Sequence, residues 1–252
     1  MKKISSYQVY VSSVAIVTLA LTFNAQSILR HFGFYRALYR QFPFYVPGTL
    51  RTFLEVLLIL GALYLVHRLG PRRSLRELYL AAPVLPGLLF GFVVALPMLL
   101  GFALTRRPAP DLSLANVSFL AVFFPLAEEI QFRGYAIGQL YRRAGWSSWL
   151  AILFVAIFFG LGHIEKGQSF SEIAGLFLLT GLGGATFSWL LIKWESLWVP
   201  FAIHMFMNLW WEVFSVSRTA LGGWFPLALQ IITAILAIMG TLYLKRPRRS
   251  LS

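Results

Sequence analysis

The chain has 252 residues, of which 58% are hydrophobic and only 12% charged, and its mean hydropathy is +0.73. Soluble domains carry about 25% charged residues, so this sequence lacks the polar groups to cover itself in water, and the absence of cysteine excludes disulfides, thiolate catalysis and Cys-ligated metal. The formal net charge is +13, but the basic residues stand in short clusters between apolar runs (Arg68/Arg72/Arg73/Arg76, Arg106/Arg107, Arg142/Arg143, Lys245/Arg246/Arg248/Arg249), which points to membrane interfaces and away from nucleic acid as a partner.

A membrane-spanning helix needs about 20 mostly apolar residues. Eight are expected, at 8–29, 49–67, 84–105, 115–141, 147–163, 172–192, 197–215 and 224–244. The fold class is therefore all-α, a polytopic transmembrane helix bundle. No Ser/Gly-rich or highly charged linker divides the chain, so 1–252 reads as a single transmembrane domain. Lys2 and Lys3 before the apolar run from Val9 to Leu21 resemble a signal peptide. Phe23 stands where a cleavage site at Ala25 needs a small residue, so an uncleaved first span is expected. Between Arg30 and Pro47, basic and aromatic residues alternate (Phe34, Tyr35, Arg36, Tyr39, Arg40), the pattern of an interfacial helix.

Eight spans place both termini on one side. That side carries the larger share of Lys and Arg, so cytoplasmic termini in a bacterial plasma (inner) membrane are expected.

The fourth span contains Glu128-Glu129-Ile130-Gln131-Phe132-Arg133. A charged side chain at mid-membrane costs about 2.5–3.5 kcal/mol on insertion scales, so three ionisable groups in six residues require a reason. Glu129 and Arg133 are four apart, in the orientation that favours an ion pair. Glu128 points about 100° away and is not readily neutralised by the same arginine. Two histidines fall in later spans: His163, after Phe159, Gly160 and Gly162, and His204, four residues before Asn208 and on the same helix face. The glycines permit close approach of a neighbouring backbone or a substrate. Such groups suit peptide hydrolysis. A carboxylate takes a proton from water and returns it to the leaving amine, a histidine positions that water or ligates a metal, and a His/Asn pair donates to the oxyanion. The same groups also suit a proton or ion path in a transporter.

Glu-Glu-x-x-x-Arg (Glu128, Glu129, Arg133), Phe-x-x-x-His (Phe159, His163) and His-x-x-x-Asn (His204, Asn208), in that order and in separate spans, resemble the signature of the CPBP intramembrane proteases. That family takes in the eukaryotic CAAX endopeptidases and the bacterial "Abi" proteins linked to bacteriocin processing and self-immunity. The matching core runs from about 115 to 215. The resemblance implies a membrane endopeptidase in which Glu128 and His163 activate water, His204 and Asn208 stabilise the oxyanion, and Glu129, Arg133 and Phe159 organise the site. Its substrate would be a membrane-associated peptide or protein, prenylated in the eukaryotic relatives. A non-catalytic scaffold or immunity factor on the same fold is the alternative. Zinc held by Glu128, His163 and His204 and metal-free chemistry both stay open.

These boundaries leave a conflict of depth. His163 falls near the non-cytoplasmic end of the fifth span, whereas His204 lies about a third of the way into the seventh from the cytoplasmic end. A shared site needs either a shorter fifth helix or a loop that dips back into the bundle.

Overall fold

The computed structural model describes residues 5–245; Lys2, Lys3, Arg246, Arg248 and Arg249 lie outside the described residues. The described chain is helical: α1 (Ser6–Phe23), α2 (Ala25–Leu29), α3 (Gly33–Gln41), α4 (Tyr45–His67), α5 (Pro71–Glu77), α6 (Val84–Thr105), α7 (Leu114–Arg143), α8 (Ser148–Leu161), α9 (Phe170–Trp194), α10 (Trp198–Val213) and α11 (Trp224–Leu244). Six of these, α1, α4, α6, α7, α9 and α11, are long and apolar enough to cross a membrane. Their outward faces stay apolar, with Leu57, Leu89, Val93 and Leu182 exposed within the helices. In water such a surface would be a liability; against lipid it is the solvated state. The chain is an integral, multi-pass membrane protein.

Each of the eight expected spans corresponds to a helix, but several boundaries change. The first span breaks at Asn24, where ψ rises to 7° and the side-chain Nδ2 donates back to the carbonyl of Ala20 at 2.8 Å, so α1 and α2 are separate. The fourth begins one residue early, at Leu114, and runs on to Arg143. The fifth span is only 14 residues. At about 1.5 Å per residue it rises about 21 Å, short of a hydrocarbon core about 30 Å thick. The seventh is 16 residues and is likewise short. The segment expected at the interface forms α3, with Phe32 and Phe34 exposed.

At the centre stands α7, buried almost continuously from Glu129 to Leu140. It departs from α geometry at Phe119–Phe123 and again at Glu129–Arg143, where the turns widen to π-helix, a distortion that is uncommon and often found at functional sites. One cause is visible in the sequence. Pro125 has no N–H, and the N–H of Phe124 goes to Phe119, so the carbonyl of Leu120 has no helical partner left.

Helices α8 and α10 are brought close to their neighbours by small residues. A Cβ on Gly91 of α6 would stand 2.5 Å from the Cβ of Ala202 on α10, and one on Gly160 of α8 would stand 2.9 Å from Phe177 of α9. These contacts seat the two short helices against full-length ones, which is how a helix too short to span is held at depth.

Outside the hydrocarbon, α5 is tied to the end of α7. Glu77, 4% exposed, accepts from Arg143 Nε at 2.7 Å and Nη2 at 2.6 Å, and lies 2.8 Å from Arg142 Nη2. Burial pushes the Glu77 carboxyl up, but the two guanidinium groups outweigh it and hold the group down at about 2. Gln139 links the same carboxylate to His67 at the end of α4, and Tyr7 of α1 completes the chain of contacts.

Candidate active site

The conflict of depth resolves through the fifth helix. Because α8 stops at Leu161, His163 lies just beyond its end, at the start of a short 3-10 turn (Ile164–Lys166). His163 and Glu128 line one cavity of about 290 Å³, together with Phe159, Gln131, Arg51 and Glu55. Nδ1 of His163 lies 2.8 Å from the carbonyl of Phe159, four residues earlier, which sets the ring's orientation.

A second cluster adjoins it. His204, on α10, places Nδ1 2.9 Å from Oε1 of Glu129 and Nε2 3.8 Å from Oε2 of Glu128. Glu129 also faces Arg133, whose Nη1 stands 3.1 Å from the same oxygen, and both side chains are wholly buried. The approach of Nη1 is not in hydrogen-bond geometry. The guanidinium is instead caged by aromatic faces, its carbon 4.2 Å from the ring centre of Phe159, 5.3 Å from Phe187 and 5.9 Å from Phe132. Cation–π contact of this kind strengthens when desolvated, and it offsets part of the cost of burying the charge. Phe159 is thus the hub. It packs on Arg133, on His163 at 4.8 Å and on His204 at 6.3 Å.

The structure therefore brings together Glu128, Glu129, Arg133, Phe159, His163 and His204. Asn208 stands apart, one turn beyond His204. Its Nδ2 donates to the carbonyl of Leu120 at 3.1 Å, the group that Pro125 leaves without a partner. Sequence reasoning missed Glu55, a carboxylate within the second span that is 8% exposed, and its neighbour Arg51. The signal was present: an acidic residue in hydrocarbon with an arginine four positions before it, the criterion that singled out Glu129 and Arg133. It also passed over Gln131, whose Nε2 donates to Thr22 Oγ1 at 2.8 Å across the cavity wall.

The donors do not form a zinc site as they stand. Glu129 Oε1 is shared between Arg133 and His204. Glu128 faces His204 Nε2 at 3.8 Å, and among the described residues no group of three potential ligands converges, where a zinc centre uses three or four.

Residues 110–210 match the family described as Rce1-like, the type II CAAX prenyl endopeptidases. Over that stretch, less than half of the chain, the protein is similar to a family of intramembrane endopeptidases. The Rce1-like region covers α7 to α10 and includes Glu128, Glu129, Arg133, Phe159, His163, His204 and Asn208, whereas α1 to α6, with Arg51 and Glu55, lie outside it. No curated protein and no solved structure matches the chain.

Proposed function

We propose that this protein is a glutamate-dependent endopeptidase that hydrolyses a peptide bond of a membrane-associated substrate, working in a bacterial plasma membrane with both termini cytoplasmic. The observation that carries the reading is a polar cavity, set inside a hydrophobic bundle, that Glu128 and His163 line together. Of the two adjacent carboxylates only Glu128 is available to substrate. Glu129 is held between Arg133 and His204, while Glu128 keeps 13% side-chain exposure and faces the cavity.

In this reading a water in the cavity gives its proton to Glu128 and is oriented by His163, and its oxygen attacks the scissile carbonyl. The negative charge that develops on the carbonyl oxygen is met by His204 from the side of Nε2. Asn208 contributes once the substrate draws its amide away from Leu120. Glu128 then returns the proton to the departing nitrogen as the C–N bond breaks. Glu129, Arg133 and Phe159 do not touch the substrate; they fix the ring of His204 and the wall against which His163 stacks.

The test is purified protein against a peptide library, wild type beside Glu128→Gln. Cleavage by wild type and none by the variant is the expected result. Equal cleavage by both removes Glu128 as the base.

A further inference from the structure

The Glu129–Arg133 pair is sealed from the cavity. A second pair, Arg51 with Glu55 on α4, has the same four-residue spacing and nearly the same separation, 3.3 Å, yet the two side chains keep 16% and 10% exposure and line the cavity that holds Glu128 and His163. An ion pair that serves only to lock a helix gains nothing by facing a polar cavity within hydrocarbon, where ionisable groups are costly. Arg51 is held firmly: Nη1 donates to Gln26 Oε1 at 2.5 Å, and the guanidinium lies 5.2 Å from the ring centre of Phe124. A guanidinium has five N–H donors and a carboxylate about four acceptor positions. Gln26 takes one donor of Arg51, and Nε, 3.3 Å from Glu55 Oε1, is outside hydrogen-bond geometry, so this wall sets a guanidinium and a carboxylate side by side.

A peptide leaving water needs that combination, because each main-chain N–H and C=O left unpaired in an apolar setting costs several kcal/mol. Resting on the endopeptidase reading, we propose that Arg51 and Glu55 are the subsite that receives the substrate's main chain beside the scissile bond, Arg51 donating to a carbonyl and Glu55 accepting from an amide N–H. The subsite comes from helices outside the matched region, so it is a feature of this chain rather than of the Rce1-like core.

The experiment measures binding apart from cleavage. The Glu128→Gln protein in lipid nanodiscs is titrated by fluorescence anisotropy against a pool of fluorescein-labelled short peptides, and the tightest-binding member serves as the probe. Adding Arg51→Gln or Glu55→Gln raises Kd about 10- to 100-fold, the loss of one hydrogen bond to a charged group. The exchange Arg51→Glu with Glu55→Arg re-forms the pair and recovers the melting temperature, but Kd stays raised. An exchange that recovers both, or single variants that bind as tightly as their parent, overturns the proposal and leaves Arg51–Glu55 a structural ion pair. Failure of the endopeptidase reading shows separately, as no cleavage of any library peptide by the wild type, whereas this proposal is decided by the Kd values.

Discussion

Nδ1 of His204 lies 2.9 Å from Oε1 of Glu129. A carboxylate accepts hydrogen bonds, so Nδ1 carries a proton towards Glu129, and Nε2, which faces Glu128, needs a second proton to donate to an oxyanion. One contact thus divides the adjacent glutamates: Glu129 orients a ring and Glu128 lines the cavity. Glu128→Gln should abolish proteolysis while the protein still inserts and purifies as a monodisperse species. Size-exclusion profiles run beside cleavage assays check both halves, and a variant that aggregates would remove the claim that Glu128 is dispensable for folding.

Arg133 and Glu129 should act chiefly on stability. Removing one partner of a buried pair typically costs about 3–5 kcal/mol, because the other charge is left uncompensated. Arg133→Ala also empties the cage formed by Phe132, Phe159 and Phe187. Its melting temperature in detergent should fall well below that of Glu128→Gln. Equal melting would mean that the pair contributes nothing to the fold.

Asn208 has two candidate roles that a compensating change separates. Asn208→Ala should lower turnover by about 10²–10³, the usual loss for one oxyanion donor, and should also strand the carbonyl of Leu120. Adding Pro125→Ala restores an N–H to which that carbonyl can bond. The double variant is expected to regain stability and not rate. Recovery of rate as well would make Asn208 a structural residue only.

Zinc is tested by chelation. Because the donors do not converge on a three-ligand set, activity should survive dialysis against a chelator, with no stoichiometric zinc lost in His204→Ala by elemental analysis. Activity lost to the chelator and returned by zinc would show that substrate binding recruits a third ligand.

Glu77 predicts an acid-sensitive joint. Its carboxyl is held at about 2, below the ordinary 4.5. A group depressed in the folded state adds stability that is complete above its unfolded value and is lost as pH falls through the folded one. Melting temperature should therefore decline between about pH 4.5 and pH 2, and Glu77→Gln should flatten that decline. The same slope in both proteins would remove Glu77 as its source.

The sequence by itself determined the solvent and the helical class, and it singled out the residues of the candidate site. Composition forces the chain into lipid, lipid admits helices whose backbone bonds are internal, and Glu128, Glu129, Arg133, His163 and His204 are conspicuous because charge within hydrocarbon demands a reason. Tertiary structure decided their depth and division of labour. Hydropathy measures how long an apolar run is, not where its helix ends, so it carried the fifth span through His163, whereas packing against α9 holds a helix that stops at Leu161. The pairing of His204 with Glu129, across 75 positions of sequence, and the arrival of Arg51 and Glu55 at the same cavity are long-range contacts. They depend on how α4, α7 and α10 cross, and no spacing along one helix encodes a crossing.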